Sequence, residues 1–151
     1  MIHCYLELKD TNYSLIDNFK ILWSLHNRNF VYPKPDTDRL LEIYKDYCRY
    51  KNFESFWPIY KEQFTEDKHE VLGYYDNDKL VAWSLVYLIN DDVVECFQFA
   101  WDYKNPELKL GYKSLFNECA LYKSRGYKTL LLGEADEYKK SLDGFKIFPA
   151  T

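Results

Sequence analysis

The sequence predicts an α/β (α+β) fold in which helices pack on both faces of a mixed, mostly antiparallel central sheet. Three observations predict it. Between Val71 and Trp101 three β-rich runs follow one another with only D-N-D-K and N-D-D between them, the signature of an antiparallel meander. Directly after them come a helical stretch and a short apolar strand, an order that adds a strand to the sheet through a helical crossover. Ahead of them, apolar residues recur at helical spacing. A chain of 151 residues fits one domain, residues 1–151, and 47% hydrophobic with 29% charged residues describes a folded protein rather than a disordered one.

Taken in order, Ile2 to Leu8 alternates apolar and polar residues and reads as a first strand. Ser14 is placed to cap a helix carrying Leu15, Phe19, Leu22, Trp23 and His26 on one face and ending near Phe30. V-Y-P-K-P-D holds two prolines and reads as a loop. Asp36 or Thr37 then starts a helix with Leu40, Leu41, Ile43, Tyr44 and Tyr47 in register, and Phe53 to Phe64 gives a third amphipathic piece interrupted at Pro58. After the meander, Tyr112, Leu115, Phe116, Cys119 and Tyr122 predict a helix, and Gly126 fits its C-terminal cap. K-T-L-L-L-G is a short buried strand, followed by a polar helical segment and a final strand in F-K-I-F-P-A.

Candidate chemistry concentrates between Glu95 and Arg125. There a strand runs through a polar loop into a helix that opens at the lone Gly111. The first turn of a helix has N–H groups without intrahelical partners and a partial positive charge, so this turn is a candidate anion site and a phosphate-bearing ligand the first hypothesis. The alternative for Gly111 is a plain helix-start turn. Charge placement agrees with the first: from Lys104 onward the chain carries +3, and residues 1–103 carry −7. The same lysines would serve equally to solvate two helices.

Other classes are disfavoured. Cys4, Cys48, Cys96 and Cys119 form no C-x-x-C pair, and His3, His26 and His69 have no metal-ligand spacing, so neither zinc nor disulfides are expected. A nucleophilic role for Cys96 or Cys119 lacks a histidine nearby in sequence. No apolar run approaches the roughly 20 residues of a bilayer span, and the N-terminal residues lack a signal-peptide pattern, so a cytoplasmic protein without a membrane partner is expected. At a net charge of −4, nonspecific nucleic-acid binding by the whole surface is disfavoured.

With W-D-Y-K-N-P-E-L-K-L-G-Y-K-S-L-F, A-L-Y-K-S-R-G-Y-K-T-L-L-L-G and the later Y-K in view, the chain resembles the GNAT (GCN5-related N-acetyltransferase-like) superfamily. Within it the motifs look most like the C-terminal catalytic half of arginyl-tRNA–protein transferases and, more distantly, the peptidoglycan-bridge aminoacyl transferases. The matching positions are Asp102, Lys109-Leu110-Gly111, Tyr127 to Gly133 and Tyr138-Lys139. The R/Q-x-x-G-x-G/A signature of acetyl-CoA-binding members is reduced here to Gly111.

The resemblance implies that the strand Val93–Trp101 parts from the strand Lys128–Gly133, leaving exposed backbone for the pantetheine and acyl carbonyl of acetyl-CoA or a related acyl-CoA. Phe99, Ala100 and Trp101 would line that opening, and the pyrophosphate would sit on the N–H groups of Leu110, Gly111, Tyr112 and Lys113, with Lys109 and Lys113 adding charge. The implied reaction is direct acyl transfer to a primary amine on a small molecule, a protein N-terminus or a lysine. Glu95 and Glu134 are the carboxylates placed near that amine, and Tyr138 is the candidate proton donor to the leaving thiolate, although it lies two residues further from Gly144-Phe145 than the usual spacing. Two other readings stay open: aminoacyl transfer from a charged tRNA, and a catalytically inactive GNAT-like binding module.

Overall fold

The structure is a computed structural model, and it describes residues 2–25, 32–51 and 61–148. Its elements are β1 (His3–Glu7), β2 (Phe19–Trp23), α1 (Thr37–Lys51), β3 (His69–Asp76), β4 (Lys79–Leu88), β5 (Val93–Trp101), α2 (Leu110–Ser124), β6 (Thr129–Glu134) and β7 (Phe145–Ile147), with short 3-10 turns between some of them. The strands form one sheet in the order β2-β3-β4-β5-β6-β1-β7. The β5–β6 neighbours run parallel and the other neighbours antiparallel, the mixed sheet the sequence predicts.

Local chemistry sets the meander. The β3–β4 hairpin turns through Asn77 and Asp78, with Asn77 at φ 55, a left-handed conformation that a short polar side chain tolerates. At the next corner the Asn90 Oδ1 accepts from the backbone N–H groups of Asp92 (2.8 Å) and Val93 (2.9 Å), so an Asx turn launches β5. Helix α1 begins where Asp36 accepts from the Arg39 N–H at 3.2 Å. Helix α2 ends at Gly126, φ 91, where the Gly126 and Tyr127 N–H groups return to the Lys123 and Tyr122 carbonyls in the cap that the sequence predicts.

Side-chain alternation divides the core between the two faces of the sheet. On one face α1 buries Leu40, Ile43, Tyr44 and Cys48 against Val71, Trp83, Leu85 and Ala100, and the Trp83 indole N–H donates to the Leu40 carbonyl at 2.8 Å. On the other, α2 buries Leu115, Cys119 and Tyr122 against Leu72, Tyr74, Ala82, Val94 and Leu130.

Two expectations are corrected. The helix expected after Ser14 is irregular chain leading into β2; its helical spacing competed with the alternation of Phe19, Ile21 and Trp23. Pairing with β3 decided the matter, because it satisfies backbone groups that an unpaired β3 edge would expose. Residues 26–31 of that segment lie outside the described residues. The polar segment after Gly133 is a 3-10 turn, Glu137–Ser141, rather than an α-helix. The amphipathic piece expected over Phe53–Phe64 falls mostly outside the described residues, and its end is a 3-10 turn, Lys61–Thr65.

Candidate active site

The feature that makes a site is the separation of β5 from β6. The two strands pair only at Val93↔Thr129, Val94↔Leu130 and Glu95↔Leu131, after which β5 runs on to Trp101 and β6 to Glu134 without pairing to each other. A bulge at the point of separation helps to cause it. Leu85 faces Gln98 while Val86 faces Cys96, so Phe97 is the extra residue in β5. Such a bulge bends its strand and increases the local twist. It also changes the parity of the strand: Val94 and Cys96 share the α2 face with Phe99 and Trp101, whereas Ala100 lies in the core beneath α1.

A cleft of about 600 Å³ occupies the opening, within the usual range for small-ligand sites. Helix α2 contributes one stripe to it, Gly111, Ser114, Leu115 and Glu118, at the spacing of successive turns. Strand β5 contributes Cys96, Phe97, Gln98 and Phe99, β6 contributes Leu132, and the following turn contributes Asp136, Tyr138 and Lys139. Tyr47 and Lys51 of α1, with Tyr103, close the remaining side. The Tyr103 ring stacks on Tyr50 at 3.9 Å and on Tyr47 at 5.7 Å, giving the mouth an aromatic rim.

Lys139 helps to satisfy the end of β6 that β5 leaves unpaired. Its ammonium donates to the Leu132 carbonyl (3.0 Å) and the Glu134 carbonyl (2.8 Å) and pairs with Asp136 at 2.9 Å. Carbonyls at the end of β6, beyond its pairing with β5, are thereby satisfied by a side chain. Asp102, at the end of β5, is buried and held by Arg39 at 3.4 Å while accepting from the Lys104 N–H; it closes the strand rather than lining the cleft.

The anion-site turn is built differently from the expectation in one respect. Gly111 is helical; the left-handed residue is Lys109, φ 50, which redirects the chain from the Pro106–Leu108 turn into α2. The Tyr112 and Lys113 N–H groups both return to the Lys109 carbonyl. Among the described residues, those of Leu110 and Gly111 have no backbone acceptor. A Cβ at Gly111 would meet nothing within 4 Å, so protein packing does not require glycine there.

Of the residues singled out in the sequence, Phe99, Gly111, Tyr112 and Tyr138 line the cleft. Ala100 and Trp101 are buried in the core on opposite sheet faces, and the Leu110 side chain is core as well. Lys109 is exposed at the helix start, and Lys113 lines a separate surface groove beside Tyr13 and Phe116. Glu95 lies where β5 and β6 still pair, opposite Tyr87 of β4, and Glu134 is exposed at the end of β6; neither lines the cleft. Partial burial raises the Tyr138 phenol above its ordinary value, with Asp136 adding to the effect, so it stands protonated, although the side chain as a whole is 43% exposed.

The carboxylate that does line the cleft is Glu118. It is 2% exposed, on the floor, with the Cys96 Sγ 3.4 Å from Oε1 and the Tyr74 hydroxyl 3.5 Å from Oε2. Burial raises its pKa from about 4.5 to about 7, and contacts with Cys96, Ser84 and Tyr74 only partly offset that rise. Burial also raises the Cys96 thiol well above its ordinary value, with Glu118 adding to the effect, which opposes a nucleophilic thiolate there. The signal for Glu118 was in the sequence: a charged residue between Leu115 and Cys119, on the helix face expected to be apolar.

A parallel strand pair that splits after three residues, a bulge at the split, and a glycine-opened helix pointing its first turn at the gap together define the GNAT-like acyl-CoA N-acyltransferase fold. Comparison with solved structures agrees. The chain is similar to the structure of L-PGS from Bacillus licheniformis (11% identity, TM-score 0.61, 89% of this chain and 46% of that one). It is similar to N-myristoyltransferase of Saccharomyces cerevisiae with bound myristoyl-CoA (14%, 0.63, 97% and 47%) and to a GCN5-related N-acetyltransferase from Kribbella flavida (14%, 0.60, 96% and 53%). At such identities the likeness is one of fold, and the chain spans about half the length of each of these proteins. No protein-family model and no curated protein matches the sequence.

Proposed function

We propose that the protein is an N-acyltransferase that passes an acyl group, acetyl in the simplest case, from CoA to a primary amine by direct attack. The observation that carries this reading is the cleft itself, which runs from the unpaired edge of β5 to the first turn of α2. The pantetheine would lie along β5 between the parted strands. Its thioester carbonyl would meet a β5 N–H, a donor already oriented for the oxygen that gains charge during attack. The pyrophosphate would rest on the Leu110 and Gly111 N–H groups, with Lys109 supplying charge. As the amine nitrogen bonds to the carbonyl carbon the C–S bond breaks, and Tyr138 would give its proton to the departing thiolate.

Calorimetric titration with acetyl-CoA tests the reading, using wild type and Gly111→Val. Because Gly111 is helical with open space beside it, valine should leave the melting temperature unchanged or slightly higher, glycine being the poorer helix former. The valine side chain would nevertheless stand where the phosphates approach, and acetyl-CoA affinity should fall at least about tenfold, on the order of 1.4 kcal/mol. A wild type that binds no acetyl-CoA, or a variant that binds it equally well, refutes the placement.

A further inference from the structure

Glu118 presents an unanswered charge. Its carboxyl group is buried at the floor of the cleft, and among the described residues it has no ion-pair partner. The contacts it has are poor ones, a thiol at 3.4 Å and a phenol at 3.5 Å, the latter beyond the ordinary O–H···O range. Ser84 on β4 is adjacent, yet its buried hydroxyl closes no hydrogen bond of ordinary geometry. Lys139, also in the lining, is already committed to two carbonyls and Asp136. Buried charges are normally paired, and Lys51, the other cation in the lining, makes no ion pair with Glu118 among the described residues, which leaves a place for a cation beside the carboxylate. The walls favour the same kind of guest: Phe99, Tyr103, Tyr112 and Tyr138 offer aromatic surface, which attracts an ammonium and packs against a flat body.

We propose that Glu118 is the anchor and proton acceptor for the acceptor substrate, and that this substrate is a primary amine carried on a compact aromatic or apolar group. The proposal rests on the acyl-transfer reading for its chemistry. The amine enters as an ammonium and pairs with the Glu118 carboxylate. One N–H proton passes to a Glu118 oxygen, freeing the nitrogen lone pair. Attack forms the C–N bond and breaks the C–S bond; the thiolate takes the Tyr138 proton, and the second proton shed by the nitrogen restores Tyr138. The products are an amide, a thiol and one proton, held on Glu118 until it returns to solvent.

The groups around Glu118 leave its titration legible. Tyr74 from β3, Cys96 from β5, and Cys119 and Tyr122 on α2 are all pushed upward by burial and stay neutral between about pH 6 and pH 8. The charged groups elsewhere in the lining are Lys51 of α1 and the Asp136–Lys139 pair. An alkylamine, with a pKa near the lysine value of about 10.4, remains an ammonium throughout that range.

Tyramine, a primary ammonium two carbons from a phenol ring, and 4-ethylphenol, its counterpart without the nitrogen, are titrated into the wild-type protein by calorimetry. At about pH 8 tyramine should bind at least about tenfold more tightly than 4-ethylphenol, and the preference should shrink toward pH 6 as Glu118 takes up its proton. Glu118→Gln should abolish the preference; if that variant does not fold, the wild-type pH profile decides. Absence of tyramine binding, equal binding of the two compounds, or a preference indifferent to pH and to the substitution overturns the proposal. A parallel titration with acetyl-CoA separates the failures: acetyl-CoA binding without tyramine binding removes the anchor alone, and the converse removes the acyl-CoA reading while leaving an amine site.

Discussion

Replacing Glu118 by glutamine should make the protein more stable at alkaline pH than at acid pH relative to wild type. In the unfolded chain the Glu118 carboxyl ionises near 4.5; in the folded protein burial raises this to about 7. Between those values the folded state holds a proton that the unfolded state has released, so stability falls as pH rises through the window and stays low above it. The difference between the two pKa values, at about 1.4 kcal/mol per pH unit, amounts to roughly 3 kcal/mol at full ionisation, most of it arising between about pH 5 and pH 8. Glutamine fills the same space without titrating, and comparison of the two proteins cancels the pH dependence they share. For a chain of this size 1 kcal/mol corresponds to about 2–4 °C, so the gap in melting temperature between Glu118→Gln and wild type should widen by roughly 5–10 °C from about pH 5 to about pH 8. Thermal melts followed by circular dichroism at matched ionic strength measure it. A gap that stays constant would mean that Glu118 ionises as easily as an exposed glutamate, and would remove the reason for treating the cleft floor as a destabilised, ligand-ready site.

Three further outcomes follow from the geometry. Tyr138→Phe should reduce kcat on the order of a hundredfold with little change in KM, since a proton donor to the thiolate acts in the transition state; steady-state kinetics showing full activity would assign the ring to the cleft wall. Gly144→Ala should lower stability by about 2 kcal/mol or more, because Gly144 has φ 73 and a Cβ there would lie 2.5 Å from the Glu7 carbonyl oxygen; an unchanged denaturation midpoint would contradict the β1–β7 junction. Binding of tRNA should be weak and lost steeply as salt rises, the basic residues being few and surface-placed; tight binding that survives high salt, with no acetyl-CoA binding, would favour aminoacyl transfer from tRNA.

Local chemistry written in the chain determined much of this molecule. The meander, its two polar turns, α1 with its Asp36 cap, α2 with its Gly126 cap and the K-T-L-L-L-G strand could all be read directly, because each depends on residues close together in sequence. The opening between Val93–Trp101 and the β6 strand was also legible, through the resemblance of the motifs around Gly111. Tertiary structure alone decided the rest. Phe19–Trp23 became a strand because β3 offered it an edge, a partner about 50 residues away that no local pattern specifies. The bulge at Phe97 shifted the parity of β5, so Phe99 faces the cleft while Ala100 and Trp101 are buried, and an unbroken two-residue alternation gives no sign of it. Glu118 was readable in the sequence only as a charge on the helix face expected to be apolar, and its place in the cleft was not. The sequence shows a glutamate on a helix, but its lack of an ion-pair partner among the described residues depends in part on where Lys139 spends its charge, and that is fixed only when the open end of β6 must find a donor.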